Sequence, residues 1–174
     1  AAGALAQELG LWVSTHLSEN TAECELARTR FGTDDYLQVY EDAGLLTNRA
    51  VFAHGIYLSE SEVQRLKAAG SVIAHCPDSN AFLGSGGMPT QQWLEAGLTV
   101  AMGTDVAGGR SFRVPHALSR AYDNALATGG SLTLAQLLWM GTRGGALALG
   151  QDQVGAIQVG LQADFVCIDR PDWV

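Results

Sequence analysis

Imidazole and carboxylate side chains are the chain's main chemical resource, and they are not scattered. Histidines occur at 16, 54, 75 and 116. The first three each follow a short apolar run: Leu11–Thr15 leads into His16, Ala50–Ala53 into His54, and Ser71–Ala74 into His75. A fourth run, Leu98–Met102, leads into Gly103-Thr104-Asp105. A lone histidine at a strand end is ordinarily a hydrogen-bonded structural side chain. Three in the same position, with an aspartate after the fourth run, point instead to a shared site. Such donors suit Zn²⁺ or a similar divalent ion. A catalytic zinc keeps one position for water and lowers that water's pKa to about 7, so hydroxide is available at neutral pH. Glu19, three residues beyond His16, is suited to take the water's proton and pass it to a leaving group. It is also suited to the N-terminus of a helix starting near Thr21, where the dipole favours an acid.

The elements that must position these residues follow from pattern. The four runs are near-continuously apolar, as in strands buried on both faces of a parallel sheet. Helices are expected between and after them, at Thr21–Arg30, Ser59–Ala69, Thr90–Ala96, Pro115–Thr128, Leu134–Met140 and Ala146–Leu149. Ser59 and Glu62 form a capping box and Gly70 is the stop. Ala1 to Gly10 reads as the last turns of a helix ended by glycine. Strand alternating with helix predicts an α/β architecture with right-handed crossovers. In a closed parallel barrel the carboxyl ends of the strands converge on one face, where active sites are built. The tail differs: Gly155–Gly160 and Ala163–Ile168 read as two strands joined by a turn. Residues 1–150 are thus expected as one unit of four βα repeats, and 151–174 as a separate small one. His116, at a helix start with no strand before it, reads as a surface or capping side chain.

Composition narrows the function. The chain has 174 residues, a formal charge of −8, 16% charged and 47% apolar residues, which excludes disorder. The acidic balance argues against a nucleic-acid partner, which needs a basic face. No apolar run approaches the ~20 residues that cross a bilayer, and the first ten residues lack a signal peptide's basic and apolar regions. The three cysteines, Cys24, Cys76 and Cys167, include no CxxC pair. They read as small buried side chains in a reducing cytoplasm rather than a disulfide framework or a structural zinc knuckle. Glycines at 84, 86, 87, 108 and 109 read as loop turns, and no phosphate-binding glycine pattern follows a strand.

Five stretches carry a family resemblance: Thr15-His16-Leu17-Ser18-Glu19-Asn20, Ala53-His54-Gly55, His75-Cys76-Pro77-Asp78-Ser79-Asn80, Gly103-Thr104-Asp105-Val106-Ala107-Gly108-Gly109, and the tail Gly155-x-Ile157-x-x-Gly160-x-x-Ala163-Asp164. In this order they resemble the C-terminal half of the amidohydrolase superfamily, and within it the guanine deaminase branch. The resemblance implies a (β/α)8 barrel of TIM type, of which this chain supplies roughly the second half, with the tail starting a small β-sandwich. It implies His16, His54 and Asp105 as metal ligands, with His54 also against the attacking water. Glu19, His54 and Asp105 are the implied catalytic residues, Glu19 as proton shuttle. His75 and Asn80 would shape the pocket, from a tight loop suited to Pro77 and Asn80. The implied metal is one zinc per site, or iron in its place, and the implied reaction is hydrolysis of guanine to xanthine and ammonia. Two other readings stand beside it. One is a deaminase or chlorohydrolase acting on another purine, pterin or triazine. The other is a non-catalytic half-barrel scaffold, which predicts no metal. The family's His-x-His pair from the first barrel strand is absent, and a whole barrel needs about 250 residues. The chain is therefore expected to be a piece of a longer cytoplasmic polypeptide. It would self-associate or pair with its missing N-terminal half, and take a small purine rather than nucleic acid or membrane as partner.

Overall fold

The computed structural model describes residues 2–169. Four strands, β1 (Val13–Leu17), β2 (Ala50–His54), β3 (Val72–His75) and β4 (Thr99–Met102), form one parallel sheet in sequence order. Helix α1 (Ala2–Leu9) precedes β1, while α2 (Thr21–Phe31) and α3 (Tyr36–Asp42) follow it. Helix α4 (Glu60–Ala69) follows β2, and α5 (Pro77–Phe82) and α6 (Thr90–Glu95) follow β3. After β4 come α7 (Val114–Ala127), α8 (Leu134–Gly141) and α9 (Arg143–Ala148). Neighbouring parallel strands need a crossover, and these helices supply it.

The register sorts the strand residues into two faces. Thr15, Phe52, Ile73 and Val100 pair across the sheet, and Phe52, Ile73 and Val100 belong to the buried core with Leu17, Leu66, Trp93 and Met140. This face meets the helices. Burying a side chain such as Phe52 or Ile73 stabilises by roughly 1.5–3 kcal/mol each. One residue further on, His16, Ala53, Ala74 and Ala101 pair in a row. Here the alanines are only half-buried and His16 is exposed. The three small residues leave the face in front of His16 unobstructed.

The expected strand and helix order holds, and the caps explain where helices start. Ser59 and Glu62 form the expected box, with Glu62 Oε2 accepting from the Ser59 amide at 2.7 Å and Gly70 closing α4 in a left-handed turn. Three local expectations are corrected. Helix α3 was not anticipated; Asp35 caps it by accepting from the Gln38 amide at 2.9 Å. Residues 77–82 form a short helix rather than a tight loop, because Pro77 sits in the first turn, where its missing N–H costs nothing. The two tail strands do not form among the described residues 151–169. A strand needs a neighbour for its backbone groups and a surface for its apolar side chains. Ile157, Val159, Val166 and Ile168 find neither and are 82–101% exposed. Residues 170–174 of that unit lie outside the described residues.

Candidate active site

Three strand ends meet in one place. His54, the last residue of β2, points its Nε2 toward Glu19 Oε2 at 3.7 Å and Asp105 Oδ2 at 4.0 Å. Its ring stacks on that of His16 at 5.4 Å between centroids and 16° between planes. Four of the expected site residues, His16, Glu19, His54 and Asp105, are therefore brought together from β1, β2 and the loop after β4.

Backbone conformation makes this convergence. By strand alternation His54 belongs to the face of Phe52, which is covered by helices. It reaches the opposite, His16 face because its φ is +74°. Ser18, just after β1, and Asp105, after β4, also have positive φ, at +50° and +46°. Each such non-glycine residue costs on the order of 1–3 kcal/mol, and strain of this kind gathers at functional sites. The Asp105 loop is further fixed by Gly109, where a Cβ would lie 2.0 Å from the Thr104 carbonyl oxygen.

Asn80 orients His54. Its Oδ1 lies 2.8 Å from His54 Nδ1. An amide oxygen there accepts a proton from Nδ1, which leaves the lone pair on Nε2. That Nε2 is buried and, among the described residues, has no hydrogen-bond partner, yet it faces two carboxylates. A neutral ring so placed turns a lone pair toward carboxylate oxygens, an arrangement that a cation between them would satisfy. The separations are too long for hydrogen bonds. Imidazole and carboxylate donors gathered this closely suit a divalent ion.

Cys76 also approaches: one donor atom each from His54, Cys76 and Asp105 lies within 4.8 Å of the others. Its thiol is pushed up to about 12 by burial and then by the charge of Asp105, and it donates to the Ala74 carbonyl. The thiol lines the site beside His54 and Asp105. Cys24 is half-buried and Cys167 exposed, so only Cys76 matches the expectation of a buried side chain.

Glu19 lies outside helix α2. The cap is Asn20, which accepts from the Glu23 amide at 2.9 Å. The first-turn acid is Glu23, whose Oε2 accepts from the Glu19 amide at 3.0 Å. The helix dipole thus accounts for Glu23, and Glu19 is left facing the site.

His75 is not brought in. It has no solvent exposure, and its Nε2 meets Thr90 Oγ1 at 3.3 Å on the helix side. Burial, and then the charge of His54, pull it down to about 3, so it is neutral. A fully enclosed side chain supports the fold and cannot form a pocket wall.

The sequence reading missed a second set of residues. Asp78 is buried, and Arg110 grips it through its backbone amide at 2.7 Å and through Nη2 at 2.5 Å. His116 Nε2 lies 3.2 Å from Asp78 Oδ1 and Arg120 Nε 3.6 Å. Hydrogen bonds from Arg110 above all hold the Asp78 carboxyl well below the usual carboxylate range. His116 therefore turns its Nε2 toward the Asp78 carboxylate rather than standing free on the surface or capping the helix. The cluster ties α5 and α7 to the loop that carries Asp105. Asp78 stood within a recognised stretch, but nothing in the sequence brings Arg110 or His116 to it.

The model of the amidohydrolase family matches residues 1–173. A probable guanine deaminase of Deinococcus radiodurans is 45% identical over 163 residues, covering 91% of this chain and 37% of that protein. The solved structure of Escherichia coli guanine deaminase superposes with a TM-score of 0.89 at 36% identity, covering 93% of this chain and 38% of that one. An adenosine deaminase from Xanthomonas campestris, solved with bound zinc, superposes at 0.85 with 30% identity, covering 92% and 37%. The chain thus spans little more than a third of the length of the proteins it matches, and its consecutive βα units are part of a (β/α)8 barrel. With its four parallel strands, its converging strand ends and a family match that runs almost end to end, this chain belongs to the amidohydrolase family.

Proposed function

We propose that the polypeptide carrying this chain hydrolyses guanine to xanthine and ammonia, using a divalent metal held in part by His16, His54 and Asp105. The observation that carries the reading is the unpartnered His54 Nε2 aimed at two carboxylates. Similarity to guanine deaminases favours guanine as the substrate. The donor set of imidazoles and a carboxylate suits zinc, with iron as the alternative ion. The remaining donors, a His-x-His pair, would come from outside these 174 residues, since none of them forms such a pair.

When bound, the metal lowers the pKa of its water and polarises it for attack. The chain's residues do the rest. Asn80 holds His54 with Nε2 free. Asp105 offers a carboxylate 4.0 Å from His54 Nε2. Glu19, about one-fifth exposed, takes one proton of the attacking water at Oε2 and gives it to the purine ring nitrogen, then carries the second, from the hydroxyl added at C2, to the departing amine. The C2–O bond forms first, giving a tetrahedral carbon, and the C2–N bond to the exocyclic amine then breaks; with one water proton on the ring nitrogen and the other on ammonia, atoms and protons balance without a further reactant. The acidic chain, and the lack among the described residues of a helix long and apolar enough to cross a membrane, leave a small molecule as the favoured partner. The free thiols fit a reducing cytoplasm, and residues 151–174 are assigned to a small separate unit.

The experiment is ammonia release from guanine by the whole polypeptide, with zinc content measured alongside. Glu19→Gln should lower kcat by roughly 10²–10⁴-fold and keep the metal. Asp105→Ala should lose both. Full activity in Glu19→Gln would overturn the mechanism, and no zinc in wild type or Asp105→Ala would favour the scaffold reading. The Xanthomonas neighbour favours a second substrate, adenosine, which belongs in the same panel.

A further inference from the structure

Among the described residues, the Glu19 carboxylate accepts one hydrogen bond. It comes from far along the chain: Ser85 Oγ donates to Glu19 Oε1 at 2.8 Å. Ser85 is itself held. It is 9% exposed. Its amide donates to the Asn80 carbonyl at 2.9 Å, and its carbonyl accepts from the Tyr57 hydroxyl at 2.8 Å. The next residue, Gly86, has φ +131°, and a Cβ there would lie 2.5 Å from the Tyr57 hydroxyl oxygen. Only glycine lets Tyr57 close on this loop. A single segment, Asn80–Ser85, therefore grips both partners of the site: Asn80 holds His54, and Ser85 holds Glu19.

We infer that Ser85 is a positioning residue for Glu19: its hydroxyl fixes Oε1 so that Oε2 faces His54 Nε2 and the reacting centre. The inference deepens the deaminase reading and rests on it. A glutamate side chain turns about three bonds, and a carboxylate that must receive a proton and deliver it elsewhere needs one orientation. Tyr57 and the Asn80 carbonyl hold the Ser85 backbone, so its hydroxyl is a fixed donor and not a surface group that happens to lie nearby. A loop hydroxyl also makes the contact depend on the β3–α6 connection, which reaches the site through Asn80 and Cys76 as well.

The test is a double-mutant cycle in the whole polypeptide, with kcat and KM for guanine measured separately, along with zinc content and the thermal midpoint. Ser85→Ala should lower kcat about 10- to 100-fold, the loss expected for a hydrogen bond to a charged group. KM should stay within about threefold, and zinc content and thermal midpoint should be unchanged. Added to Glu19→Gln, Ser85→Ala should cause no further fall, because the hydroxyl acts through the carboxylate. Ser85→Thr, which keeps a hydroxyl, should recover most of the loss. An unchanged kcat in Ser85→Ala overturns the inference. So does a loss that multiplies with that of Glu19→Gln. In either case the deaminase reading stands if wild type is active and Glu19→Gln is not. Wild type that releases no ammonia from guanine overturns both.

Discussion

Replacing Asn80 with alanine tests the link between a buried hydrogen bond and metal affinity. Asn80 and His54 are each about 1% exposed, and their contact is 2.8 Å. Alanine removes the acceptor and leaves the Nδ1–H of His54 buried without a partner, since Nδ1 has no other hydrogen bond among the described residues. An orphaned donor of this kind costs about 1–3 kcal/mol. The imidazole escapes the cost by moving its proton to Nε2, where it faces Glu19 and Asp105. That tautomer cannot ligate. Restoring the binding tautomer then requires the same 1–3 kcal/mol, which is about 5- to 150-fold in metal affinity. The backbone of Asn80 keeps its bonds to Cys76 and Ser85 in the variant, so the loop is not dismantled. Zinc competition against a chromophoric chelator measures the affinity in wild type, Asn80→Ala and Asn80→Asp. The aspartate retains an acceptor and should bind zinc at least as tightly as wild type, as carboxylate partners of ligating histidines do. Equal zinc affinity and equal kcat in Asn80→Ala would refute the tautomer argument.

Asp78 should confer acid-sensitive stability. Its carboxyl lies below its unfolded value, so the stabilisation is complete above about pH 5 and fades as pH falls through ~4 toward the depressed folded value. Denaturant unfolding of wild type and Asp78→Asn across pH 3–7 should show a gap that is constant at the upper end and narrows at the lower. A gap that widens below pH 4 would contradict this. Gly109→Ala should release zinc and abolish activity while leaving far-ultraviolet circular dichroism intact, because its Cβ meets the Thr104 backbone and displaces the Asp105 loop. Gly32→Ala is the control: its φ is +67° but none of the described residues would lie within 4 Å of the added Cβ, so it should cost about 1 kcal/mol and no zinc. Alkylation at pH 8 followed by peptide mass spectrometry should leave Cys76 unmodified in the folded protein, given its burial and its pKa of about 12.

The order of elements was legible because it rests on local signals. Continuous apolar runs marked all four strands, and the Ser59–Glu62 box and Gly70 bracketed α4. Helix α3 was not legible, since its seven residues hold only one short apolar repeat, Tyr36, Leu37 and Tyr40, too brief to set it apart from a loop. The tail shows the opposite error. Its composition is that of strands, but pairing is a property of neighbours, and the described residues hold none for it. The Asp78 cluster and the Ser85–Glu19 contact join residues 32 and 66 positions apart, and no local pattern encodes such a meeting.

His54 and His75 show most sharply where reading the sequence stops. Both end an apolar strand, two residues beyond a core side chain, Phe52 or Ile73. Strand alternation gives both the same fate, on the face covered by helices. His75 follows that rule and is buried against Thr90 as a neutral ring. His54 breaks it through a single left-handed residue, and that one dihedral moves its imidazole to the other side of the sheet, beside His16. The conformation is unfavourable by itself and persists because its surroundings hold it. The Gly55 amide donates to the Leu17 carbonyl at 2.9 Å, Asn80 holds the ring, and Ile73 and Leu58 pack around Gly55. The difference between a core histidine and a site histidine therefore lies in what restrains the peptide after each ring. Gly55 at φ +58° follows one, and Cys76-Pro77, which starts a helix, follows the other.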